Sequence, residues 1–179
     1  VAVDPPRYID LSMPELREVT RFAALNAADV LPLFERTHPG DTRPRAALDA
    51  ARQFFEGEPR SRLQRVTALD AHRAARDADT QAGGHAAHSA AAAAAAAYLH
   101  PLASADQVGH ILRSAAHAAA AAELAADDPE AAVAQLDRAV TRATPVLIEV
   151  LLRYPPARPG RTRVPVLMRR LDTRLRAMR

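Results

Sequence analysis

From Gly83 to Glu123 the chain reads GGHAAHSAAAAAAAAYLHPLASADQVGHILRSAAHAAAAAE. A segment this rich in alanine has little choice but helix, because alanine has the highest helix propensity and no side-chain freedom to lose. Alanine also buries little area per residue. Such helices must therefore gain their stability by packing nearly backbone to backbone. The same stretch holds five of the seven histidines. Imidazoles set among methyl groups are either polar anchors of a packed core or the walls of a site, and the residues leave both readings open.

The rest of the composition narrows the class. The 179 residues suffice for one domain with a core of its own. Hydrophobic residues make up 49% but aromatics only 4%, which again points to small side chains and close helices. There is no cysteine, which excludes disulfides, thiolate zinc sites and thiol catalysis. No basic-then-apolar leader opens the chain and no run of roughly 18 strongly apolar residues occurs, so a soluble, cytoplasmic protein is expected. All 24 basic residues are arginine, which with the alanine load suggests a GC-rich, bacterial coding genome and explains a pI near 10.1 at a formal charge of only +3. The charge is uneven: nine arginines against Asp172 alone lie from Arg153 to Arg179.

In chain order, residues 1–11 carry Pro5 and Pro6 without periodicity and read as an extended arm. Ser12-Met13-Pro14-Glu15 is a capping box. It opens a first helix whose Leu16, Val19, Phe22, Ala23, Val30, Leu33 and Phe34 keep a 3.6-residue rhythm, with a kink expected at Pro32 and an end at His38-Pro39-Gly40. A second helix begins after Asp41 or Thr42 and presents Ala47, Leu48, Ala51, Phe54 and Phe55. The third starts near Ser61, with Leu63, Val66 and Leu69 or Asp70 marking successive turns, and Gly83-Gly84 is expected to break it. The fourth covers His85 to about Leu99. Ser104-Ala105-Asp106-Gln107 reads as a second capping box, for a fifth helix. Asp128-Pro129 opens a sixth that carries Val133, Leu136, Val140, Leu147, Val150 and Leu151 and bends at Pro145. After the proline-rich turn from Arg153 to Gly160, Val164, Leu167 or Met168, Leu171, Leu175 and Met178 give a last helix one apolar seam among arginines. No segment alternates with period two. The expected fold is all-α: a single-domain antiparallel bundle of about six or seven helices, with residues 12–153 as its body and residues 154–179 as a turn and a docked Arg-rich helix.

The chemistry-bearing residues fall into two groups. His85 and His88 share one helix face, as do His110 and His117, so two facing helices would converge four imidazoles. That arrangement suits a general base beside a proton donor, or a metal. Asp106 is the only acid between Asp79 and Glu123, so no metal site is expected; were there one, His85, His88, His110 and His117 would be its ligands. The second group, Asp70-Ala71-His72-Arg73-Ala74-Ala75-Arg76-Asp77, offers His72 with Asp77 one turn away as a carboxylate to orient it, and also reads as a solvated, salt-bridged face. The Glu-x-x-His pair that a di-iron bundle needs twice occurs once, at Glu35 and His38. No metalloprotease, serine-hydrolase, nucleotide or flavin motif is present, which leaves any cofactor unassigned. The C-terminal arginines supply charge for nonspecific nucleic-acid binding, but Tyr154 is the only aromatic there, and nucleic acid is not an expected partner.

In order along the chain, PLFERTHPGDTRPRAALDAARQFFEGE, DAHRAARDA, GHAAHSAAAAAAAAYLHP, QVGHILRSAAHAAAAAEL and RATPVLIEVLLRYP resemble a family of bacterial, chiefly actinobacterial, putative immunity proteins associated with polymorphic toxin systems. The resemblance runs from about Leu16 to the C-terminus. It implies an all-helical fold and a protein partner, such as a cognate toxin, that is bound and neutralised without catalysis. The positions matching the family's polar pattern are His72, Arg73, Asp77, His85, Tyr98, His100, His110, His117 and Glu123; His88 and the Gln81-Ala82-Gly83 lead-in are local departures. The alternative is a small-molecule enzyme or binder with a histidine-lined pocket between the third, fourth and fifth helices. For that reading the catalytic candidates are His72, Asp77, His85, Tyr98, His110 and His117, and the ligand-binding candidates are His88, His100, Arg73 and Glu123. The sequence assigns no oligomeric state.

Overall fold

Thr80, three residues before the glycine pair, starts the helix around which the others pack. Its hydroxyl accepts a hydrogen bond from the Gly83 amide, 3.0 Å away, in the usual N-cap geometry. In the computed structural model, which describes residues 7–178, eight α-helices follow one another: α1 (Met13–Glu35), α2 (Arg43–Phe55), α3 (Arg62–Asp77), α4 (Gln81–Ala96), α5 (Val108–Ala126), α6 (Pro129–Arg142), α7 (Pro145–Leu152) and α8 (Arg163–Arg176), with one 3-10 turn at Ala105–Gln107. The fold is all-helical, as expected, with one helix more than the upper count. The extra element arises at Pro145, which starts α7 with Thr144 as its N-cap instead of bending a continuous helix. Pro32 lies inside α1, which continues to Glu35. No described helix is long and apolar enough to cross a membrane.

The alanine-rich helices are central. α4 packs against α1, α2, α3 and α5, and α5 packs against α1, α4, α6 and α8. From Ala90 to Ala97 every residue but Ala95 is buried. The larger side chains come from the flanking helices, where Phe22, Phe54, Leu136, Leu147 and Leu171 join the same core cluster. Gly83 and Gly84, which suggested a break, lie in the first turn of α4. A methyl group on Gly84 would come within 3.1 Å of the Ala75 carbonyl oxygen, so glycine there permits α4 to pass close to the end of α3.

Two hydroxyls tie this core together. Ser89 Oγ donates to the Ser114 carbonyl at 2.8 Å, and Ser114 Oγ reaches the Ala23 carbonyl at 2.8 Å and the Ser89 carbonyl at 3.0 Å. They link α1, α4 and α5 through buried hydrogen bonds.

The helix-start signals fare unevenly. The Ser12–Glu15 box forms reciprocally, with Ser12 N donating to Glu15 Oε2 at 2.7 Å and Glu15 N to Ser12 Oγ at 3.3 Å. At Ser104 the hydroxyl accepts from Asp106 N instead, and Gln107 turns away to accept from His100 N. The box is lost and a 3-10 turn precedes α5. α3 reverses its expected face: Leu63, Val66 and Leu69 are 43%, 44% and 53% exposed, while Gln64, Ala68, Ala71, Ala74 and Ala75 are buried. On α8, Leu167, Met168, Leu171 and Leu175 are buried as the seam requires, and Met178 is exposed. The proline-rich segment is fastened to α8 through Asp172, whose carboxylate accepts from Ala157 N at 2.9 Å and from Arg176 Nε at 2.7 Å. Of the N-terminal arm, residues 1–6 lie outside the described residues. Residues 7–9 pair with the loop after α4, Ile9 N donating to the Pro101 carbonyl and Ala103 N to that of Arg7.

Candidate functional site

α3, α4 and α5 each contribute to one string of imidazoles. His72 Nδ1 lies 2.8 Å from His88 Nδ1, and His85 Nδ1 lies 2.9 Å from His117 Nδ1. The His88 and His117 rings, with centroids 5.1 Å apart, join the two pairs. The order in space is thus His72, His88, His117, His85. The helix spacing made His85 and His88 neighbours, and α4 does present both toward α3 and α5. His110 is not in the string. Its Nδ1 faces the Ala95 carbonyl at 3.0 Å, and His72 takes the fourth place.

These contacts fix much of the proton placement. A carbonyl only accepts, so His110 carries its proton on Nδ1 and keeps a lone pair on Nε2. In each neutral His–His pair one Nδ1 must donate and the other accept, so each pair contains one Nδ1–H and one Nε2–H tautomer. Burial pushes all five imidazoles below their ordinary value. His88 falls to about 4 through burial first and then the neighbouring His72 and His85, with Arg76 adding a smaller effect. His117 falls to about 2, again chiefly through burial. Arg113 adds repulsion at His72, His110 and His117. The string is neutral at pH 7, and among the described residues no group of three or more histidine or acidic side chains is arranged to hold a metal ion.

The other candidates are engaged elsewhere. Asp77 pairs with Arg43 Nη2 at 2.8 Å and so ties α3 to α2. Arg73 pairs with Asp70 one turn back, at 2.6 Å. Glu123 is a strut between α5 and α8, bonded to Arg163 at 2.6 Å. His100 is exposed beside Tyr8. Tyr98 lies near the cluster, but its hydroxyl donates to the Ser61 carbonyl at 2.6 Å and its ring carries the guanidinium groups of Arg60 and Arg65 at 5.1 and 4.5 Å.

Beside the string, a cleft runs between α3, α4 and α5. Its wide part, about 240 Å³, is lined by Arg65, Ala68, Leu69, Ala95 and Tyr98 with His72 and His110. An adjoining small pocket of about 60 Å³ shares the walls His72, Ala95 and His110 and adds Ala92, Asp106, Gly109 and Arg113. Sequence reasoning missed Arg113, although it lies three residues after His110 and four before His117, on their helix face. A larger open depression of about 570 Å³ lies by residues 7–12, far along the chain from the histidines, and its Glu15 and Arg153 are already paired.

Fold and site together define an all-helical protein that gathers four imidazoles from three helices into one string. Residues 11–144, well over half of the chain, match the model of the Imm-5 like putative immunity protein family, and the chain belongs to that family. No curated protein and no solved structure matches it.

Proposed function

We propose that this chain is an immunity-like protein that binds a partner protein, such as a cognate toxin of a bacterial polymorphic toxin system, and neutralises it by binding alone, in the cytoplasm. Family membership is the observation that carries this reading. The outward face of α3 supports it. Val66 and Leu69 are exposed there among Arg62, Arg65, Arg73 and Arg76, a mixture of apolar and cationic groups suited to an acidic partner surface. The test is co-expression with the product of the adjacent gene. The expected result is a complex that survives size-exclusion chromatography, protection of cells from that product, and loss of both on Arg65→Glu with Leu69→Asp. Absence of a complex together with absence of protection refutes the proposal.

The cleft lined by His72 and His110 favours a second reading, a small-molecule binder or enzyme. Its apolar floor with a few convergent polar groups is the usual make-up of a ligand site.

A further inference from the structure

The two adjoining pockets between α3, α4 and α5 differ in character and together make a polarised cleft. At its narrow end lies Arg113, whose guanidinium is folded back over its own helix. A methyl group placed on Gly109 would stand 2.6 Å from Arg113 Nη2 and 3.0 Å from its Cζ. The absence of a side chain at position 109 therefore makes room for the cation to lie there. Among the described residues no carboxylate pairs with Arg113. The one acid lining the same end, Asp106, is bonded to Arg158 Nε at 3.1 Å. A guanidinium has five N–H donors in a planar fork that matches a carboxylate. Arg113 is thus positioned with its donors unspent on protein.

The wide end is mainly apolar, and its one cation, Arg65, is laid on the Tyr98 ring. Ala68, Leu69 and Ala95 form its floor, and Tyr98, with Arg65 laid across its ring, closes one side. The two imidazoles between the ends each have one nitrogen occupied, His72 by His88 and His110 by the Ala95 carbonyl. His110 Nε2 is left as a hydrogen-bond acceptor, which repels an anionic oxygen. An anionic head is therefore turned toward Arg113, and its apolar remainder toward Leu69 and Tyr98.

Resting on the small-molecule reading of the cleft, we infer that it is a binding site for a small free acid, a carboxylate on a short apolar stem, with Arg113 as the anion contact and Gly109 as the residue that sets its position. The site shares Arg65 and Leu69 with the outward face of α3, but its anion contact lies on α5 and it does not require a protein partner.

Phenylacetate is the probe, with phenylacetamide as its neutral isostere and inorganic phosphate as an anion without a stem, each titrated into the full chain and followed by amide ¹H–¹⁵N shifts. Phenylacetate is expected to give saturable shifts centred on Ala92, Ala95, Gly109 and Arg113, with phenylacetamide and phosphate weaker by roughly tenfold, the worth of one charge-assisted contact. Arg113→Gln is expected to weaken phenylacetate by the same factor. Gly109→Ala keeps every charge and favours the helix, yet displaces the guanidinium, and is expected to weaken the probe several-fold, while Arg169→Gln on α8 leaves it unchanged. Equal binding of amide and acid in the cleft overturns the carboxylate assignment while the small-molecule reading stands. Equal or tighter binding of phosphate overturns the apolar stem. No cleft shifts with any probe overturns both the assignment and the reading. Normal binding by well-folded Gly109→Ala and Arg113→Gln overturns the role of Arg113.

Discussion

At the scale of single residues, the histidines show how a sequence locates a polar centre without saying how it is wired. Their positions on helix faces were legible from spacing alone. Which imidazole meets which was not, because the pairing His72–His88 and His85–His117 depends on the relative placement of three helices. The same limit hid Arg113, whose folded posture follows from a missing methyl group one turn earlier. Each pair shares a single hydrogen bond, so removing one member strands its partner. His85→Ala leaves the part-buried Nδ1 of His117 without its neighbour, and urea unfolding at pH 7.5 is expected to show a loss of about 1–2 kcal/mol.

At the scale of the element, caps announced the helices better than glycines or large aliphatics did. Ser12 with Glu15 and Asp128 with Pro129 mark real starts, because orphan amides must be satisfied wherever a helix begins. Gly83-Gly84 resembled a break for the reason that makes it useful: a residue without a side chain serves a turn and a close approach equally. α3 misled in a related way. Leucine and valine normally mark the core side, yet here the buried side is mostly alanine, with Gln64 and the half-buried His72, and the larger aliphatic residues face outward. Two substitutions on this helix separate the faces. Ala71→Leu, at a position with no accessible surface, is expected to cost about 1–3 kcal/mol by overpacking. Leu69→Ala is expected to change unfolding free energy by no more than about 0.5 kcal/mol. Denaturant titration of both variants checks the pair.

For the whole molecule, the neutral imidazoles govern the response to acid. In the unfolded chain each histidine takes up a proton near its ordinary value of 6.5, whereas burial holds His72, His85, His88, His110 and His117 lower in the fold. Below pH 6.5 the unfolded state therefore binds more protons than the native state, and stability falls with pH. Each such histidine contributes a slope of at most about 1.4 kcal/mol per pH unit, fading as pH drops through its folded value, which for His88 is about 4. Glu15, lowered to about 2 by its hydrogen bond with Arg153, adds a second loss from its ordinary 4.5 downward. Melting temperature is expected to be level from pH 8 to 7 and to drop steeply between pH 6 and 4. Replacing His88 by Gln is expected to make that first limb less steep while leaving in place the limb below pH 4, where His117 and Glu15 still take up protons.

The alanine interior has one more effect, on how the chain responds to temperature. The heat capacity released on unfolding tracks the apolar surface that becomes hydrated, and a core in which α4 and α5 offer mostly methyl groups exposes less of it than leucine-filled helices of equal length. The curve of stability against temperature is correspondingly shallow, so the fold loses little of its margin on cooling, and it owes its melting point more to backbone hydrogen bonds and close contact than to the hydration of oil-like side chains.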